Sequence, residues 1–218
     1  NVAKAIKKDK AIILLVILFF AYLPYKGKNF IGLTFTKALV GSMWFFVWSL
    51  SFLLLSKSNA SVELSFLTIT PLFIVTCTWF LSPMIIRAIG EEPKEYIQKN
   101  PIRFLVRFEL PVMLLKFFEI LFQQTVFIYI LFGMLNSISL QEKIVWFTLM
   151  VAIIHAGNIF VMPWRWAVFY FILSIPMAII FGALILRGNA LLTMSVHLLF
   201  YLLFNGRYWF SKKTVELV

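Results

Sequence analysis

Long apolar runs separated by short polar breaks set the pattern of this chain. Ala38 to Leu55 is an uninterrupted run long enough for a membrane-spanning helix, and Lys57 to Ser61 is the polar loop after it. Val62 to Ile86 reads as the next span, with Pro71 and Pro83 expected to kink or end it. Residues 87–103 form the one long polar stretch, a surface loop with room for a short amphipathic helix. Phe104 to Leu135 is too long for one upright span. Pro111 divides it into an interfacial lead-in and a spanning helix from about Val112. After a polar turn at 136–143 come three more spans, Ile144 to Met162, Ala167 to Leu186 with Pro176 inside it, and Ala190 to Phe210. Pro163-Trp164-Arg165-Trp166 and Arg187-Gly188-Asn189 are the turns between them. Trp164, Trp166, Tyr208 and Trp209 are expected at the interfaces. Residues 11–23 are apolar but short for a span. The pattern predicts an all-α, polytopic membrane helix bundle of six to eight transmembrane helices in a single integral membrane domain over 1–218. Residues 1–37 make a basic N-terminal, interfacial or re-entrant segment.

Composition agrees with that class. The chain is 62% hydrophobic and 13% charged, whereas a soluble domain is nearer half apolar and a quarter charged. The net charge of +11 would suit nucleic acid, but the Lys and Arg fall mostly in short loops and at the ends, where they act as topology signals. The expected partners are therefore the lipid bilayer and a membrane protein or transmembrane peptide, with no nucleic acid. With the C-terminus cytoplasmic and residues 11–23 not crossing, only Lys57, Lys143 and Arg187 face outside and Lys116 lies in the membrane. If residues 11–23 do cross, Lys4, Lys7, Lys8 and Lys10 move outside and the inside excess shrinks but persists. The expected location is a cell membrane, inner or plasma. The single Cys77 excludes an internal disulfide.

The stretch Phe117 to Tyr129 is apolar enough for the bilayer yet carries Glu119, Gln123 and Gln124. Glu119 and Gln123 are four residues apart and share a helix face. The chain's two histidines, His155 and His197, each lie inside another apolar span. Polar groups at membrane depth are costly and turn toward the bundle interior or a cavity. One cluster drawn from three helices satisfies all of them. In the structural reading, Lys116 pairs with Glu119 at i+3 and each histidine bonds Gln123, Gln124 or Asn158 in a satisfied network. Two histidines without a second nearby carboxylate fall short of the three protein ligands a catalytic zinc takes, so no metal is expected, nor any cofactor. Glu91, Glu92 and Glu95 belong to a solvated loop. No internal inverted repeat of the transporter kind is visible.

The spacing of Gln123-Gln124, His155 and His197, with Phe181-Gly182 and Arg187-Gly188 before the last histidine, resembles the CPBP family of CAAX-protease and bacteriocin-processing intramembrane proteases. The family's motifs are E-E-x-x-x-R, F-x-x-x-H and H-x-x-x-N or H-x-x-x-D. The resemblance covers roughly 112–205. Here Gln123 and Gln124 stand at the glutamates, Ile128 at the arginine and Val151 at the phenylalanine, while Tyr201 takes the place of the final Asn or Asp. The resemblance implies a glutamate that activates water, and histidines that assist it and bind the oxyanion. A glutamine amide has no carboxylate basicity, so that step is missing here. Two functions follow. One is a catalytically silent relative that binds a membrane partner or transmembrane peptide in a cavity walled by Gln123, Gln124, Asn158 and Tyr201. The other is an active protease with a rearranged site, in which Glu119 one turn away works with His155 and His197.

Overall fold

The computed structural model describes residues 8–22, 34–56, 110–160 and 163–210, with isolated positions between 73 and 88, and side chains except at 8, 22 and 204–210. The described residues are all-α with no strand: α1 Lys8–Tyr22, α2 Phe35–Ser56, α3 Leu110–Ile128, α4 Leu140–Ala156, α5 Trp164–Leu186 and α6 Ala190–Phe210. A π-helical turn, Tyr129–Met134, prolongs α3, and a 3-10 turn, Gly157–Phe160, prolongs α4. With those turns, α2, α3, α4 and α5 are long and apolar enough to cross a membrane, while Ala190–Leu203 of α6 is a shorter apolar helix. Their outer faces carry large apolar side chains such as Leu54, Val145, Phe160 and Ile172, the surface of a membrane protein. Most of the predicted span Val62 to Ile86, the 87–103 loop, the lead-in before Leu110 and the C-terminal tail lie outside the described residues.

The local chemistry of each helix end is written in its sequence. Thr34 caps α2, its hydroxyl accepting from the Lys37 amide at 3.3 Å. Pro111 occupies the first turn of α3, where its missing N–H costs nothing. Ser139 opens α4 through a capping box: its hydroxyl accepts from the Glu142 amide at 3.4 Å, and the Glu142 carboxylate accepts from the Ser139 amide at 3.0 Å. The helix therefore starts at Leu140, inside the expected polar turn at 136–143. Between α5 and α6, Gly188 takes φ 83°. Its amide donates to Ile185 and that of Asn189 to Leu184, at 3.0 and 2.9 Å, closing a Schellman turn.

α3 is the central element: 72% of its most apolar stretch is buried, against 17–33% for the other three long helices. It packs along α2 through a seam of Ala38, Ser42, Phe45, Ser49, Phe52 and Ser56. These alternate at steps of four and three, the 3.5-residue period of a left-handed helix pair. Small residues let the backbones approach, as at Gly41, where a Cβ would stand 2.8 Å from Leu115 Cδ1. Phe45 and Phe52 lie on Phe122 with ring centroids 5.5 and 5.8 Å apart, and Phe52 also meets Tyr129 at 5.0 Å. Low numbers pair with low and high with high, so α2 and α3 run parallel, and Ser56 and Leu110 lie at opposite ends of the pair.

α1, α4 and α6 run antiparallel to α3. α1 presents Leu14, Ile17 and Ala21 inward. The Lys10 ammonium donates to the Gly133 carbonyl at 2.5 Å, while Trp44 Nε1 donates to the Ala21 carbonyl at 3.3 Å. Its N-terminus is thus level with the far end of α3, and its C-terminus with the first half of α2. Phe127 of α3 meets Phe147 of α4 edge-to-face at 5.2 Å, and Gly182 of α5 lies against the same ring. Trp166, expected at an interface, is instead 3% exposed and packs with Ile120 and Tyr201. It lies in the first turn of α5 but points inward, filling the space between α3 and α6. Trp164 does face outward.

Candidate functional site

The spacing of polar residues on α3 sends its side chains in two directions. Glu119 and Gln123, one turn apart, share a face, and the Gln123 amide approaches Glu119 Oε1 at 3.4 Å. Lys116 Nζ holds the other carboxylate oxygen at 2.6 Å, the i+3 pair expected from the sequence, and lies 6.0 Å from the centre of the Tyr201 ring. Tyr201 is buried against Ile120 and Trp166. Gln124, rotated about 100° round the helix from Gln123, points toward α6. Its Nε2 lies 3.0 Å from His197 Nδ1.

Both histidines line one cavity of about 100 Å³, together with Phe127, Val151, Tyr170, Ser174, Met177 and Phe181 among others. Glu119, Gln123, Gln124, Asn158 and Tyr201 are not among its lining residues. Gln124 reaches the cavity only by orienting His197, and its own Oε1 is buried without a hydrogen-bond partner. Asn158 sits half-buried in the 3-10 turn after α4. The predicted residues other than Asn158 therefore divide into two groups. His155, His197 and Gln124 make one, and Lys116, Glu119, Gln123 and Tyr201 make the other.

His155 does not bond a side-chain amide as expected. Its Nδ1 lies 2.9 Å from the Val151 carbonyl one turn back. A carbonyl only accepts, so Nδ1 carries the proton and Nε2 is left with a lone pair. His197 is opposite. The Gln124 NH₂ only donates, so His197 Nδ1 accepts and its proton sits on Nε2. The pair offers one acceptor and one donor. Ser174 adds a hydroxyl that already donates to the Phe171 carbonyl at 2.7 Å and keeps its lone pairs.

Sequence reasoning missed the contribution of α5. Tyr170 and Ser174 are four residues apart within a run of apolar side chains, the same i, i+4 polar signature that singled out Glu119 and Gln123. Among the described residues no three of His, Cys, Asp and Glu gather closely enough to hold a metal ion. No family model, curated protein or solved structure matches this chain.

Proposed function

We propose that this chain is a polytopic protein of the cell membrane that binds a transmembrane segment of a partner and does not cleave it, a silent counterpart of the CPBP-type proteases it resembles. The observation that carries this reading is the capture of Glu119. Its carboxylate is held by Lys116 at 2.6 Å and lies off the cavity that holds the two histidines. The alternative, a rearranged protease with Glu119 as base, requires Glu119 to leave Lys116 and swing to the other face of α3. With glutamines at positions 123 and 124, no carboxylate then lines the cavity among the described residues. A positioned general base is worth about 10²–10⁴ in rate.

Helix directions support a count within the expected six to eight. α2 and α3 run parallel, and Val62 to Ile86, which has the composition of a span, would supply the return between them. The four long apolar helices, this return and α6 make six crossings, and α1 would be a seventh if its 15 residues cross; the C-terminus is then cytoplasmic. The basic loop at 87–103 then lies inside.

The test is copurification from membranes paired with a cleavage assay on the partner recovered. A stoichiometric, uncut partner is expected. Cleavage by the wild-type chain that Glu119→Gln abolishes would establish the protease reading instead.

A further inference from the structure

The two imidazoles show opposite valences to one small cavity. His155, with its proton fixed on Nδ1 by the Val151 carbonyl, offers a lone pair. His197, with its Nδ1 occupied by the Gln124 amide, offers an N–H. We infer that this cavity receives the hydroxyl of a threonine or serine on the partner's transmembrane helix. This inference rests on the partner-binding reading above and names what the partner must bring.

Four observations lead there. First, a hydroxyl donates one hydrogen bond and accepts others, the two capacities that the histidines lining the cavity call for between them. A carboxylate only accepts and an ammonium only donates, and each would carry an uncompensated charge against Phe127, Phe181 and Phe200. Second, the volume of about 100 Å³ is smaller than the ~150 Å³ cavity that admits benzene, which suits a short side chain. Third, the cavity is not sealed and its wall is mostly apolar. His155, Tyr170, Leu173 and His197 are only partly buried, and the nearby outer surface carries Ile154, Ile172 and Leu199. Apart from the two histidines, Tyr170 and Ser174, the side chains an occupant meets are apolar. Fourth, His197 lies seven residues into α6, about 10 Å below its first residue at 1.5 Å per residue. Lipid headgroup hydroxyls stay at the interface, whereas a helix side chain reaches that depth.

The full chain, labelled with ¹⁵N-histidine in lipid nanodiscs, allows a direct test. The probes are Leu/Ala helices about 20 residues long with a central threonine, its isostere valine, or asparagine. The free chain should show one histidine protonated on Nδ1 and the other on Nε2. Two identical tautomers would overturn the donor–acceptor pairing. The threonine helix should bind about 3- to 30-fold tighter than the valine helix, the range of interhelical hydrogen bonds in membranes, and should move both imidazole signals. His155→Leu should bring that ratio close to one. Equal binding of threonine and valine helices would defeat the hydroxyl inference and leave partner binding standing. Tighter binding of the asparagine helix would assign the cavity to carboxamides. Binding of none would remove the transmembrane-peptide reading and this inference together.

Discussion

Replacing Lys116 by methionine is expected to destabilise the bundle strongly, while replacing both members of its ion pair is not. The Lys116 and Glu119 side chains are 14% and 8% exposed, with 2.6 Å between Nζ and Oε2. At an effective dielectric of ~20 the gross attraction at that distance is roughly 6 kcal/mol. Desolvation of two ions consumes most of it, so the pair contributes little net stability against an apolar replacement. A single truncation is different, because the remaining ion keeps its desolvation cost and loses its partner. Lys116→Met should cost about 3–5 kcal/mol, and Glu119→Leu a similar amount. The double variant, Lys116→Met with Glu119→Leu, should lie close to wild type. The Gln123 amide at 3.4 Å is too long a contact to replace the ammonium. Reversible unfolding in mixed micelles over a denaturing-detergent series gives the four free energies of the cycle. Additive single effects would refute the reasoning. So would single effects below about 1 kcal/mol, the value typical of an exposed pair.

Three further outcomes are expected. Gly182→Val should cost roughly 1–3 kcal/mol of overpacking, because a Cβ there would stand 2.9 Å from Phe147 Cδ1; thermal unfolding in detergent reads it, and an unchanged midpoint would show that α5 can move off α4. Ser139→Ala should cost about 0.5–2 kcal/mol by removing the capping box, seen as faster amide exchange in the first turn of α4, and unaltered exchange there would contradict the assignment. Single cysteines at Asp9 and Ser137, in a Cys77→Ser background, should be labelled from the same side of sealed vesicles, and one at Arg165 from the other. Labelling of Asp9 together with Arg165 would overturn the antiparallel placement of α1.

The all-helical class and the positions of the four long apolar helices were legible because apolar runs of helical length have one outcome in lipid. The Lys116–Glu119 pair was legible for the same local reason, an i+3 spacing at membrane depth. Two classes of feature were not. Local hydrogen-bond chemistry moved the start of α4 to Leu140, although the Ser139-x-x-Glu142 box was present to be read. Tertiary direction decided the rest. Hydrophobicity alone does not tell which face of α5 turns inward, so Trp166 was expected outside and Ser174 went unnoticed. Gln123 and Gln124 are adjacent and looked like one site, yet the helical twist sends one to Glu119 and the other to His197. The spacing of small and aromatic residues from Ala38 to Ser56 does not say which helix it meets; contacts such as those of Phe45 and Phe52 with Phe122 and Tyr129 identify α3 as the partner.

The parallel seam between α2 and α3 imposes a schedule on biosynthesis. A hairpin zips as soon as its second arm emerges, but α2 must wait for the chain from Ser56 to Leu110 to be made. At 5–20 residues per second that delay is about 3–10 s. During it, the edge that carries Ser42, Ser49 and Ser56 meets lipid. These hydroxyls tolerate the wait because each is already spent on its own helix, donating to the Ala38, Phe45 and Leu53 carbonyls at 2.7, 2.8 and 2.8 Å. The seam therefore stores its small residues without exposing an unmet hydrogen bond. Serine supplies the narrow groove that α3 later fills, and α2 can remain alone in the bilayer until its partner arrives.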